Sequence, residues 1–271
     1  MASRTVLLTG AAGGIGRVMT QALLADGHRV AAVDRDAAAL DQLKALDLSA
    51  DRLQCIHADL SEEAACLAAI ETARRRFGAV EALINNAGIG MSSIRPDAEA
   101  HHPGIAELAP ETFDRFFDIF MRAPATLVRA TLPMMRERGF GRIVNNTTSY
   151  LTMLRVLPYG AAKAALESMS AVWADELKGS PVTVNVLVPG GPTDTPLIAD
   201  ASGWDRSKML KPEIMGPPIR WLLSDAGAAA HGQRITAARW DASLPPADAA
   251  KRAGRAIGWP ELAADAVWLR G

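Results

Sequence analysis

The 271-residue chain is 49% hydrophobic and 22% charged, a composition that excludes intrinsic disorder and permits a large core without disulfide or metal staples. With 29 basic against 30 acidic residues and a formal net charge of −1, it carries no electrostatic footprint for nucleic acid or anionic lipid, and a small-molecule partner is expected instead. The apolar run before Gly10 is too short for a signal peptide or a membrane span, and Cys55 and Cys66 have neither a close Cys nor a His at metal-ligand spacing. Unbridged buried thiols, no metal, no membrane and a cytoplasmic location are the expectations.

In chain order, short β-branched runs alternate with longer helical patterns. Strands are expected over residues 5–8, 29–33, 53–57, 82–85, 142–146, 182–188 and 233–236. That alternation implies an α/β, Rossmann-type doubly wound parallel sheet of about seven strands with helices on both faces. The first helix, residues 17–26, ends at Gly27, and another opens at Ser61 with Glu62 and Glu63 in its first turn, where carboxylates favour the helix dipole. Long helices are expected over 110–138 and 159–177. No Ser/Gly/Pro-rich linker divides the chain. Residues 1–240 therefore form one dinucleotide-binding and catalytic domain, and the Ala-rich residues 241–271, with Pro245-Pro246 and two short helices ending near Trp268, form a tail. Trp221, Trp240, Trp259 and Trp268 crowd this end, so the tail is expected to pack on the domain or on a neighbouring subunit.

The segment Thr9-Gly10-Ala11-Ala12-Gly13-Gly14-Ile15-Gly16 joins the first strand to the first helix. Residues without a Cβ let the backbone approach a pyrophosphate, and the helix N-terminus offers unpaired N–H groups and partial positive charge. Gly10, Gly13, Gly14, Ile15 and Gly16 are thus cofactor-site candidates. Asp34, ending the second strand, is placed to accept hydrogen bonds from both ribose hydroxyls and to repel a 2′-phosphate, which favours NAD. The adjacent Arg35 would partly neutralise that phosphate, so NADP stays open. Asp59-Leu60 is placed at the adenine edge, and Asn85-Asn86-Ala87-Gly88 closes the fourth strand with amides that can hold strands and cofactor together.

These motifs, with Tyr159-x-x-x-Lys163 and Pro189-Gly190 after the sixth strand, resemble the compact, single-domain branch of the short-chain dehydrogenase/reductase family over about the first 240 residues. The resemblance implies NAD(P)-dependent hydride transfer between nicotinamide and a secondary alcohol or ketone. It puts the loop Gly190 to Leu197 at the nicotinamide, with Thr195 near the cofactor's amide or phosphates and Pro189 in the cofactor site, and the catalytic hydroxyl at Thr148, with Ser149 next to it; either hydroxyl serves. It also implies a homodimer or homotetramer through the helices 110–138 and 159–177. The chemistry asked of Tyr159 is to take or give the substrate's hydroxyl proton. A free phenol titrates near about 10, so the phenolate must be stabilised by roughly 3 units, or about 4 kcal/mol. Lys163 is four residues on, on the same helix face, and also binds ribose.

One residue departs from the family. Aligning the preceding helix places Phe120 where an asparagine usually supports a water relaying protons from the lysine. Pro124, four residues later, has no N–H and leaves the Phe120 carbonyl without its usual helical partner, so that oxygen can hold the water instead; simple core packing of Phe120 is the equal alternative. Phe120 also sustains a rival reading, a catalytically weak or inactive NAD(H)-binding sensor. A lyase or dehalogenase on the same scaffold fits less well, because the pyrophosphate turn is intact. His101-His102 falls in a polar stretch, 92–109, read as a substrate-side or surface loop rather than a metal site. Residues 196–218 read as a lid with Leu197, Ile198, Trp204, Met209 and Leu210 on its inner face.

Overall fold

A strand covered on both faces has no solvent side for polar residues, and the apolar runs of this chain form strands of that kind. The computed structural model describes residues 2–46 and 51–264. In order they form β1 (Thr5–Thr9), α1 (Gly14–Ala25), β2 (Arg29–Asp34), α2 (Ala37–Leu46), β3 (Leu53–His57), α3 (Glu63–Phe77), β4 (Ala82–Asn85), α4 (Pro110–Phe117), α5 (Ala123–Glu137), β5 (Gly141–Asn146), α6 (Tyr150–Met153) and α7 (Tyr159–Glu176). There follow β6 (Val182–Val188), α8 (Gly216–Leu223), β7 (Gln233–Thr236), α9 (Pro246–Ala253), β8 (Gly254–Ala256) and α10 (Pro260–Ala263). Every residue of β1, β4, β5 and β6 is buried.

Among the described residues the strands form one sheet in the order β3-β2-β1-β4-β5-β6-β7-β8. The first seven run parallel and β8 pairs antiparallel with β7. One apolar core joins the sheet to α1, α2 and α8, and a second joins the opposite face to α3, α5 and α7. Because β1 is flanked by β2 on one side and β4 on the other, the crossovers diverge there and open a crevice at the C-terminal ends of the strands.

Three features differ from the sequence reading. The tail contributes an eighth strand: β8 is three residues long and carries none of the β-branched run that marks a strand, and it is extended because it covers the open edge of β7. The helix expected over 110–138 is interrupted at residues 118–122 by a π turn, in which the Ala123 N–H donates to the Asp118 carbonyl. Pro124 follows this turn directly, so its missing N–H falls where the hydrogen-bond ladder has already changed register. Cys55 is only half-buried, whereas Cys66 is buried and its thiol is pushed up to about 11 by burial. Of the late tryptophans, Trp221 and Trp240 stack at 6.0 Å beside the first core and Trp259 lies 5.9 Å from Tyr150; Trp268 lies outside the described residues. No helix among the described residues is long and apolar enough to cross a membrane.

Candidate active site

The crevice is a cavity of about 800 Å³, and the residues singled out above for catalysis and cofactor binding line it, except Asn85, which lies behind it in β4. Its floor is the turn between β1 and α1. Gly10 has φ +62°, and a β-carbon there would come within 2.8 Å of the Ala87 Cα. At Gly16 a β-carbon would lie 1.8 Å from the Gly10 carbonyl oxygen, so the turn closes only around a bare backbone. No side chain caps α1 at Gly13, which leaves the first-turn N–H groups available to an anion. This cradle and the volume above it fit a dinucleotide together with a small substrate.

Hydrogen bonds fasten the cavity walls to the floor. Thr9 Oγ1 accepts from the N–H groups of Asn86 and Ala87, both at 3.0 Å, and Asn86 Nδ2 donates to the carbonyls of Thr9 and Gly10 at 3.0 Å. Asn85 Nδ2 reaches Asn145 Oδ1 at 2.8 Å, joining β4 to β5. The Asp34 carboxylate is fixed by two backbone donors, Ala12 N–H at 3.0 Å and Asp36 N–H at 3.1 Å, and so faces the glycine turn. Arg35 beside it is exposed and forms no ion pair among the described residues. Asp59 accepts from the Ser61 N–H at 3.0 Å and hydroxyl at 2.8 Å. The backbone donor chiefly holds its carboxyl below the usual range, against the opposing effect of burial.

Helix α7 is laced to the end of β5 residue by residue. Ser170 Oγ accepts from Asn145 Nδ2 at 2.7 Å, Lys163 Nζ donates to the Asn146 carbonyl at 2.6 Å, and Glu167 accepts from Thr147 Oγ1 at 2.7 Å, while Tyr159 and Thr148 line the same cavity. Tyr159, Lys163 and Glu167 share one face because they recur every four residues. Burial pushes the Tyr159 phenol up to about 12, the Thr148 hydroxyl opposing it, and pulls the Lys163 ammonium down to about 7. Ser149, by contrast, caps α6: its Oγ accepts from the Thr152 N–H at 3.1 Å and is bonded to Thr152 Oγ1 at 2.8 Å. Both Thr148 and Ser149 line the cavity.

Phe120 is buried in an apolar cluster with Ile89, Phe116 and Ala162, as the core-packing alternative expected. Its ring meets Tyr159 edge-on at 5.3 Å and 85°, and Lys163 Nζ lies 4.2 Å from its centroid. The ring stands where a polar partner was expected and favours the ammonium form through its π face. His102 lines the cavity, whereas His101 pairs with Asp97 at 3.4 Å. Of the expected lid residues, Leu197, Ile198 and Trp204 face the cavity; Met209 is buried and Leu210 bridges to Thr193 as a sheet-like pair. Arg206 ties the lid together through Asp194, Asp200 and the Ile198 carbonyl. Sequence reasoning missed Met91, Glu99, Leu151, Arg155 and Val156, which also line the cavity from short segments and loops with no periodic signal. It also missed Glu167, for which the four-residue step from Lys163 was the available clue.

Comparison with known proteins agrees with this geometry. The family model described as short chain dehydrogenase matches residues 4–206. The chain is 32% identical over 193 residues to 2-(R)-hydroxypropyl-CoM dehydrogenase of Xanthobacter autotrophicus, covering 69% of this chain and 74% of that protein. It is 28% identical over 261 residues to NADPH-dependent aldehyde reductase 2, chloroplastic, of Arabidopsis thaliana, covering 88% and 93%. Among solved structures it resembles 3-ketoacyl-(acyl-carrier-protein) reductase from Brucella melitensis complexed with NADH, at TM-score 0.72 and 27% identity over 84% of this chain and 93% of that one.

Proposed function

Because the chain belongs to the short-chain dehydrogenase/reductase family, and so is an oxidoreductase acting on small alcohols and ketones, we propose that it uses NAD and that Tyr159 is its general acid/base. The observation that carries this reading is the shared wall. The phenol of Tyr159 stands with Thr148 and Lys163 in the same cavity into which the glycine turn opens. Bound NAD⁺ supplies the hydride acceptor and a positive charge in the site.

In alcohol oxidation Tyr159 takes the hydroxyl proton and Thr148 holds the substrate oxygen in line with the phenol; in ketone reduction Tyr159 returns the proton. Lys163 stabilises the phenolate by its charge and binds ribose. With the phenol at about 12 in the cofactor-free site, tyrosine alone is too weak a base at neutral pH. The cations around it must bring it down. The test is to follow nicotinamide absorbance with a panel of secondary alcohols and ketones. Turnover with at least one class is expected; cofactor binding with no hydride transfer to any of them would overturn the proposal.

Asp34 selects the nucleotide. Its carboxylate, already oriented by the Ala12 and Asp36 N–H groups, retains lone pairs for two ribose hydroxyls and repels a 2′-phosphate. Asp34→Ser is expected to shift the NAD-to-NADP ratio of kcat/KM by about tenfold or more towards NADP, helped by the unpaired Arg35. An unchanged ratio would remove Asp34 from this role.

A further inference from the structure

Beneath the segment that carries Thr148 lies a buried ion pair that takes no part in hydride transfer. The side chains of Glu167 and Arg234 are 0% and 4% exposed, and Arg234 Nη1 donates to Glu167 Oε2 at 2.5 Å. Glu167 comes from the α7 face that bears Tyr159 and Lys163, and Arg234 comes from β7. Both grip the end of β5. Thr147 Oγ1 donates to Glu167 Oε2 at 2.7 Å and accepts from Arg234 Nη1 at 3.1 Å, while Arg234 Nη2 donates to the Thr148 carbonyl at 2.5 Å.

The same pair reaches the C-terminal segment. Glu167 Oε1 accepts from the Gly258 N–H at 3.2 Å, and the Gly258 carbonyl accepts from the Tyr150 hydroxyl at 2.8 Å. The Tyr150 ring lies 4.2 Å from the Arg234 guanidinium and 5.9 Å from Trp259. Thr147, Thr148 and Tyr150 are therefore all held by one network whose outer members, Gly258 and Trp259, follow β8. A buried ion pair contributes little stability beyond what apolar residues of similar volume would give. What apolar residues cannot supply is direction: two fixed donors and two fixed acceptors aimed at the backbone and hydroxyl of a loop.

We propose that Arg234 and Glu167 are positioning residues that set the placement of the Thr148 hydroxyl against Tyr159, and that they couple this placement to the seating of the C-terminal segment at Gly258. The proposal rests on the reading of Thr148 as the hydroxyl that orients the substrate oxygen. A reacting group displaced by about 1 Å loses about a hundredfold in rate, so small slippage of this loop is enough to be measured.

The experiment compares full-length variants for kcat, KM, the pH profile of kcat, cofactor affinity and thermal unfolding. The paired variant Glu167→Leu/Arg234→Met removes both ions together and leaves neither charge stranded in the core. It is expected to fold, to bind NAD as the parent does, and to lose about tenfold to a hundredfold in kcat with a displaced pH profile. Arg234→Lys keeps the charge without the fork and is expected to fall between. Tyr150→Phe, which removes the hydroxyl that donates to the Gly258 carbonyl and also interacts with Glu167, is expected to lower kcat in the same direction. In a Thr148→Ala background all three losses should vanish, because the group they position is gone. A folded paired variant with kcat within about twofold of the parent, or losses that persist undiminished without the Thr148 hydroxyl, would overturn the coupling. Should Thr148→Ala itself leave hydride transfer intact, the reading of Thr148 falls, and the coupling with it.

Discussion

Replacing Tyr159 by phenylalanine is expected to lower kcat by about a thousandfold while leaving cofactor affinity within a few-fold of the parent. The substitution removes one oxygen and keeps the ring, so the edge-on contact with Phe120 at 5.3 Å survives. What is lost is the hydroxyl that, on the proposed reading, exchanges a proton with the substrate. General acid/base groups of this kind contribute about a hundredfold to ten-thousandfold, and water is a poor replacement where burial excludes it. Lys163 does not take over the role, because its Nζ is directed to the Asn146 carbonyl at 2.6 Å. Steady-state turnover, with cofactor titration as the control, reads the effect. A Tyr159→Phe variant retaining a tenth or more of parental kcat, on the order of one pH-independent step, would mean that another group moves the proton.

The second large effect is expected at Gly16. A β-carbon there would sit 1.8 Å from the Gly10 carbonyl oxygen and 2.8 Å from its carbon, both backbone atoms with no flexible end to swing aside. Gly10 cannot retreat, since Ala87 already stands against it. Gly16→Ala must therefore spread the turn, which costs about 3 kcal/mol of stability as overpacking does elsewhere. Cofactor binding should be lost with it, because the pyrophosphate cradle no longer closes. Gly13→Ala is the control. Its β-carbon would meet only the Gly10 carbonyl, at 3.6 Å, so the protein should unfold at the parental temperature. Equal thermal unfolding of the two variants would show that the cradle is looser than its geometry implies.

Much of this architecture is legible in the sequence, for a physical reason. Strands buried on both faces are mostly apolar runs, as β1, β4 and β6 largely are, whereas β5 buries Arg142, Asn145 and Asn146 around Ile143 and Val144. The nucleotide end is legible because few residue types satisfy it: a bare-backbone turn and a carboxylate at the next strand end. What the sequence hides depends on partners distant along the chain. β8 is a strand only because β7 has an open edge, and residues 254–256 carry no intrinsic preference to reveal it. Thr148 and Ser149 are chemically alike and adjacent, and nothing in the sequence reveals that Ser149 caps α6. The Phe120 ring meets Tyr159 and Lys163, and the π turn at 118–122 that carries it is not anticipated by a regular helical count.

The central claim is that Tyr159 becomes acidic only when cofactor completes the positive field around it. The chain has two tyrosines, Tyr150 and Tyr159, so carbon-13 labelling at the phenolic carbon gives two resonances, assigned from the spectrum of Tyr150→Phe. In the cofactor-free protein burial keeps the Tyr159 phenol near about 12, and its resonance should not move below that range. With NAD⁺ bound it should titrate about 3 units lower or more, as a nearby cation demands. A Tyr159 resonance whose midpoint is the same with and without NAD⁺ would contradict the account.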